Sequence, residues 1–133
     1  MSTRGSRPIL ADSYIADEAL TQYQAVVISG TASGKEGHVR KPQAAADVAV
    51  GIVQDDASES GDVVNVIQMG KSYVIAGESD NIGAALAVHD TDGRVSSPNG
   101  FASGDGYLGF YEEAPTASGD IVTAYINVME LIR

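Results

Sequence analysis

The sequence predicts an all-β chain, a single compact β-barrel or β-sandwich domain of short strands and Gly-rich turns, and three observations predict it. Glycine occurs 15 times in 133 residues and breaks the chain too often for long helices. The segments between the glycines are short and rich in Val, Ile and Tyr, side chains that suit a pleated, half-buried surface. The chain also repeats itself. Gly51-Ile52-Val53-Gln54-Asp55 leads to Ser60-Gly61-Asp62-Val63-Val64, and 58 residues later Gly109-Phe110-Tyr111-Glu112-Glu113 leads to Ser118-Gly119-Asp120-Ile121-Val122.

Taken in order, Asp17 to Gln24 is the one segment that reads as one or two helical turns, with Asp17 as its cap. Ala25 to Ile28 and Val48 to Val53 read as strands. In Asp62 to Gln68, Val64 and Val66 fall on one face of a pleat and Val63 and Ile67 on the other, as expected for a strand covered on one or both sides. Gly70-Lys71 separates Val63 to Met69 from Ser72 to Ile75, and Asp92-Gly93 separates Leu86 to His89 from Arg94 to Ser96; each reads as a tight hairpin whose Gly supplies a positive φ. Tyr107 to Tyr111 and Ile121 to Val128 complete the strands. In both copies of the repeat the Ser-Gly-Asp corner has a structural explanation, since Gly turns the chain and Asp accepts hydrogen bonds from neighbouring backbone amides. Gly61, Asp62, Gly119 and Asp120 are therefore assigned as structural corners.

Charge narrows the partners. Eighteen Asp and Glu against eight Lys and Arg give a formal charge of -10, which repels nucleic acid. The imbalance is uneven: residues 1–50 hold five groups of each sign, and the rest hold three basic against thirteen acidic. No window approaches the roughly 18 to 20 apolar residues of a membrane helix, and no apolar stretch follows Arg4 and Arg7, so neither a span nor a secretory leader is expected. The absence of cysteine excludes disulfides, a thiolate nucleophile and sulfur-ligated metals.

Motifs that carry chemistry are approached and missed. Gly30-Thr31-Ala32-Ser33-Gly34-Lys35-Glu36 has three residues between its glycines where a phosphate loop needs four, and Glu36 stands where Ser or Thr would hold magnesium, so it reads as a surface loop. Asp90-Thr91-Asp92-Gly93 begins like a calcium loop but lacks the later ligands and reads as a β-turn. His38 and His89 lack zinc-site spacing, and no nucleophile elbow is present. Asp55, Asp56, Glu59, Glu112 and Glu113 are the candidates for carboxylate catalysis; their place in turns favours an acidic surface. The glycine-rich loop Asn99 to Tyr107 either presents Phe101 to a partner or tucks it into the core. No catalytic residue, cofactor or metal is expected.

Certain segments, in their order and spacing, resemble the capsid decoration or cement proteins of tailed phages, small acidic all-β proteins. They are Ala19-Leu20-Thr21 leading to Ala25-Val26-Val27; Val50 to Val53 with Ser60 to Val66 and Gly70; Ile82-Gly83-Ala84-Ala85-Leu86 with Asp92-Gly93-Arg94-Val95; and Gly109 with Ser118 to Val122. The resemblance spans residues 15 to 130, and the Asn99 to Gly106 loop departs from it.

The resemblance implies a virion structural protein, made in the host cytoplasm, that binds the phage major capsid protein on the outside of the expanded head. It also implies homotrimers at three-fold positions that strengthen the shell by many repeated weak contacts. Residues 1–15 are then an extended N-terminal arm, kept from helix by Pro8 and loosened by Gly5 and its serines, and residues 16–133 the barrel domain. Arg4, Arg7, Pro8, Arg40 and Lys41, in the neutral first part, are the candidate capsid-binding residues. The alternatives are another virion part, such as a tail or fibre-base protein, and a small β-barrel enzyme or carbohydrate-binding module using the carboxylates near Asp55 and Glu112.

Overall fold

The computed structural model describes residues 7–29, 37–45, 47–97 and 107–128. The described residues hold nine strands and no helix: β1 (Arg7–Ala16), β2 (Ala25–Ile28), β3 (His38–Arg40), β4 (Gly51–Val53), β5 (Val63–Ile75), β6 (Ala85–Val88), β7 (Val95–Ser96), β8 (Gly109–Tyr111) and β9 (Ile121–Asn127). The all-β expectation holds, and the strands form one sheet in the order β1-β3-β2-β4-β5-β9-β8-β6-β7.

That sheet closes on itself twice. β1 pairs in parallel with β3 and antiparallel with β5, so β1, β3, β2, β4 and the first half of β5 form a ring. The second half of β5 continues through β9, β8 and β6 to β7, and a parallel bridge from Ala76 to Val95 closes a second ring. β5, thirteen residues long, serves as the last strand of the first ring and the first strand of the second. Closure leaves neither ring an open edge along this seam, which removes the commonest route to unwanted strand pairing.

The repeat read from the sequence is this duplication, and it extends to individual bonds. Tyr23 N–H donates to the Val53 carbonyl at 2.8 Å, as Gly83 N–H does to Tyr111 at 2.8 Å. Gly61 N–H reaches the Ala16 carbonyl at 2.7 Å, and Gly119 N–H the Ala76 carbonyl at 2.7 Å. At the predicted corners, the Asp62 carboxylate accepts from Ser58 N–H at 2.8 Å and the Asp120 carboxylate from Thr116 N–H at 2.8 Å, while Gly61 and Gly119 take φ of 100° and 91°.

Each ring fills its interior with the side chains that alternation assigns to one face. In the first these are Val26, Val39, Val53, Val64 and Val66; in the second, Leu86, Val95, Tyr111, Val122 and Ala124 stand in the same places. Burying each large aliphatic side chain contributes about 1.5–3 kcal/mol, so these two stacks are what hold the rings. Residues on the opposite face of the first ring, Ala25, Ile52 and Ile67, are equally buried, because they pack into the cluster of the second ring. Polar bonds also cross between the rings: Ala25 N–H to the Gly93 carbonyl at 2.8 Å, the Gln24 amide to the Asp92 carbonyl at 2.8 Å, and the Gln54 amide to the Ser72 hydroxyl at 2.9 Å.

Two expectations meet a different local structure. Gly70-Lys71 is not a hairpin, because β5 runs straight through it; Gly70, at φ 124°, lies where the strand passes from one ring to the next. Asp17 to Gln24 forms bends and a turn rather than helical turns, with Leu20 bridged to Ala57, because the backbone groups that would close a helix bond across the ring instead. The hairpin at Asp92-Gly93 does form between β6 and β7, and its tip is the four-residue turn Asp90 to Gly93, closed by Gly93 N–H to Asp90 at 3.2 Å. As for the arm of residues 1–15, residues 7–15 belong to β1 and pair along β5. Pro8 lies opposite Gly70 near the start of the strand, beside the register shifts between Pro8 and Ala11, the kind of position where a strand admits proline. Residues 1–6 lie outside the described residues.

Candidate functional site

The predicted contact residues fall into two places. Arg7 and Pro8 begin β1, opposite Lys71 and Gly70 of β5. Arg40 and Lys41 follow β3, which pairs with the far end of β1 at Ile15 and Ala16. Ten residues of strand at about 3.3 Å each separate the two groups by roughly 30 Å, so they do not form one patch. Arg4 lies outside the described residues, as do the Gly30 to Glu36 loop and most of the Asn99 to Tyr107 loop.

Arg40 and Lys41 line an open cleft of about 290 Å³ between the rings, with Glu18 beside them and Thr91 and Asp92 of the β6–β7 turn opposite. Glu18 organises its floor: one carboxylate oxygen accepts from Lys41 N–H at 2.9 Å and the other lies 4.0 Å from the Lys41 ammonium. The Arg40 guanidinium reaches the Ser29 carbonyl at 3.4 Å, and its buried Nε has no hydrogen-bond partner among the described residues.

Arg7 leads to a second feature that the sequence reading missed. Lys71 lies opposite Arg7, directly opposed residues on antiparallel strands share a face, and Lys71, Tyr125, Phe110 and Ala85 oppose one another in turn across β5, β9, β8 and β6. Phe110 and Tyr125 stack at 5.5 Å between ring centroids, Phe110 is 39% exposed, and Lys71 is held at 3.2 Å by Glu112. No spacing along the chain signals such a row, because its members come from four strands.

Of the five carboxylates weighed for catalysis, Asp55, Asp56 and Glu113 accept hydrogen bonds within the chain, while Glu112 pairs with Lys71 and its buried Oε1 has no hydrogen-bond partner among the described residues. Asp55 accepts from Asn65 N–H at 2.8 Å, Asp56 from Gln22 N–H at 2.7 Å, and Glu113 from both the amide and the hydroxyl of Thr123, the latter at 2.7 Å. His38 Nδ1 contacts Asp17 at 2.6 Å; the His89 ring lies over Gly77, with its Nδ1 2.9 Å from the Ser96 hydroxyl. Among the described residues no group of three His, Asp or Glu could hold a metal. Burial pushes the Tyr111 phenol well above its ordinary range, an effect strengthened by Asp80 and Glu78, and its hydroxyl donates to the Val95 carbonyl at 3.1 Å.

No protein-family model matches the sequence, and no curated protein matches it significantly. Solved structures do match. The N-terminal base of the head fiber protein gp8.5 of bacteriophage phi29 superposes with a TM-score of 0.65 over 89% of this chain and 93% of that one, at 19% identity. A chain of the capsid of Myoviridae phage XM1 superposes with a TM-score of 0.60 over 96% of this chain and 86% of that one, at 13% identity. The two-ring β-fold of this chain is thus the fold found in these two structures from phage heads.

Proposed function

We propose that this protein is a structural component of a phage virion that decorates the head. It binds the major capsid protein on the outer surface of the expanded lattice, as homotrimers at three-fold positions, and acts by adhesion rather than catalysis. The observation that carries the reading is the shared fold over 89% of the chain with a head-fiber base, reinforced by a second match to a capsid chain over 96%. Surface chemistry supports it. Asp55 and Asp56, two of the carboxylates that an enzyme would use, accept hydrogen bonds from backbone amides, whereas Arg40 and Lys41 line an open cleft. Many copies on a lattice turn modest contacts of this kind into large total stabilisation.

Co-sedimentation tests this. Purified protein is mixed with undecorated, expanded heads of the same virus, and bound protein per capsid subunit is measured across a titration. Saturation at a fixed stoichiometry is the expected result. Pelleting no greater than in a control without heads would overturn decoration and redirect the assignment to another virion part.

A further inference from the structure

The duplication shows what one face of each ring is suited to pack against. In the first ring the cross-strand row Ala25, Ile52 and Ile67 points away from the ring interior, and Ile52 and Ile67 are 0% and 1% exposed because the second ring covers them. The same row in the second ring is Ala85, Phe110 and Tyr125, in the same register, and among the described residues no second ring covers it: Phe110 is 39% exposed.

The covering end is also duplicated. What lies on the first ring's row is the end of the second ring that carries Val88, Leu108 and the turn at Gly93, where an added Cβ would come within 2.8 Å of the Gln24 side chain. Ile28 and Val50 are the first ring's counterparts of Val88 and Leu108. Ile28 opposes Val39 as Val88 opposes Val95, and Val50 N–H donates to Val26 as Leu108 N–H does to Leu86. Val88 is 3% exposed, whereas Ile28 is 44% and the neighbouring Val48 49% exposed. Among the described residues, one chain therefore carries both halves of its own internal interface a second time, each left open: an apolar end on the first ring and an aromatic face on the second.

We propose that copies of this chain join head to tail, the Ile28 end of one seated on the Phe110 and Tyr125 face of the next, repeating between molecules the contact made within each. Such a heterologous contact closes into a ring when the rotation allows and otherwise propagates as a chain. The aromatic pair supplies a desolvated centre, and Lys71 with its Glu112 partner lies at the polar margin of the row. Because each copy carries a charge of -10, salt strengthens the association by screening repulsion. The inference deepens the assembly part of the decoration reading and rests on it for its setting.

The test uses the isolated full chain without heads, so its failure is distinguishable from failed head binding. Sedimentation velocity over a dilution series follows wild type, Phe110→Asp, Ile28→Asp and an equimolar mixture of the two variants, with melting curves recorded on each. Wild type is expected to associate, and each variant alone to dissociate at least about tenfold more readily. The mixture should recover a one-to-one dimer, because the intact end of Phe110→Asp fits the intact face of Ile28→Asp. A monomeric wild type at every concentration overturns the proposal. So does a variant that assembles like wild type, or a mixture that recovers nothing while both variants melt as folded proteins.

Discussion

Gly51 and Gly109 stand 58 residues apart at the same place in the two rings, and each lies directly against a carbonyl of the neighbouring strand: a Cβ on Gly51 would collide with the Ile67 carbonyl, and one on Gly109 with that of Tyr125. Gly61 and Gly119 differ, since a Cβ there meets nothing within 4 Å and only their φ of 100° and 91° favours glycine. Gly51→Ala and Gly109→Ala are therefore expected to cost about 2–4 kcal/mol each, through forced displacement of the paired strand. Gly61→Ala and Gly119→Ala should cost about 1 kcal/mol. Urea unfolding of the four variants checks the ranking, and equal losses at all four would show that conformation rather than space selects glycine.

The corner at Asp120 makes an acid-sensitive contact. Its carboxylate accepts from the Thr116 amide at 2.8 Å, the Thr116 hydroxyl at 2.9 Å and the Ala117 amide at 3.2 Å, and these bonds, the Thr116 amide first, hold its pKa below the ordinary aspartate value. A depressed carboxylate contributes stability that is present above its unfolded pKa, near 3.9, and lost as pH falls through the folded one. Asp120→Asn should consequently lower the melting temperature at pH 7 and narrow its gap to wild type below about pH 4. A gap that stays constant down to pH 2 would mean that ionisation of Asp120 does not contribute.

How far the sequence could be read depended on whether a signal lies along the chain or across it. The Ser-Gly-Asp corners announced the duplication because glycine and a capping carboxylate are local requirements, and both copies bond as expected. β1 went unread as a strand because Pro8, Asp12 and several exposed positions blur its alternation; its pairing comes from β5, not from its own pattern. Gly70 looked like a turn because strand interiors seldom contain glycine, and only the two-ring architecture explains a strand that changes rings there. Arg40 and Lys41 were visible as basic residues near a cleft yet to be seen, whereas their separation from Arg7 depends on which end of β1 each adjoins. The row through Phe110 and Tyr125 was illegible, since register across four strands is a tertiary property.

At alkaline pH the corresponding group is Tyr111. Its phenol is buried, donates to the Val95 carbonyl at 3.1 Å, and has a pKa pushed far above that of an exposed tyrosine. A group with a raised folded pKa contributes stability that is complete below its unfolded pKa, near 10, and lost as pH rises toward the folded value. Tyr111→Phe should cost about 1 kcal/mol at neutral pH, by removing the phenol's bond to the Val95 carbonyl, which keeps its bond from Gly77 N–H, and should soften the loss of stability above pH 10. Absorbance titration gives an independent readout: one tyrosine of the wild type should ionise only on unfolding, and a variant with the same titration as wild type would refute the assignment.

On heads, the cleft and the start of β1 are separable. Arg40→Ala and Lys41→Ala are expected to weaken attachment about tenfold each with little change in melting temperature, since Arg40 makes one long hydrogen bond and Lys41 one distant ion pair. Asp56→Asn should leave attachment unchanged. Removing residues 1–6 tests the arm without touching β1, whereas a deletion through Pro8 also removes two positions paired with β5 and confounds binding with stability. If Arg40→Ala and Lys41→Ala bind heads as wild type does while the truncation abolishes binding, the contact belongs to the arm and not to the cleft.

Tyr23 shows how the two rings diverged under one backbone. It takes φ 76° where its counterpart Gly83 takes 81°, and both donate the same hydrogen bond to the next strand, at 2.8 Å in each case. A tyrosine in the left-handed region carries a strain of about 1–2 kcal/mol that glycine does not. What offsets it is the ring, packed on Tyr73 of the second ring at 5.1 Å between centroids with a 57° tilt, a contact for which Gly83 has no equivalent side chain. The sign of Tyr23→Gly should therefore depend on Tyr73. With Tyr73 present the variant loses an aromatic contact of about 0.5–1.5 kcal/mol together with its burial, and is destabilised. In a Tyr73→Ala background the strain remains while much of the compensation has gone, so the same substitution should become neutral or stabilising. A double-mutant cycle by urea unfolding measures this, with an expected coupling of about 1 kcal/mol. Identical effects in the two backgrounds would mean that the left-handed tyrosine is held by its own ring's packing, and that the seam between the rings owes nothing to this pair.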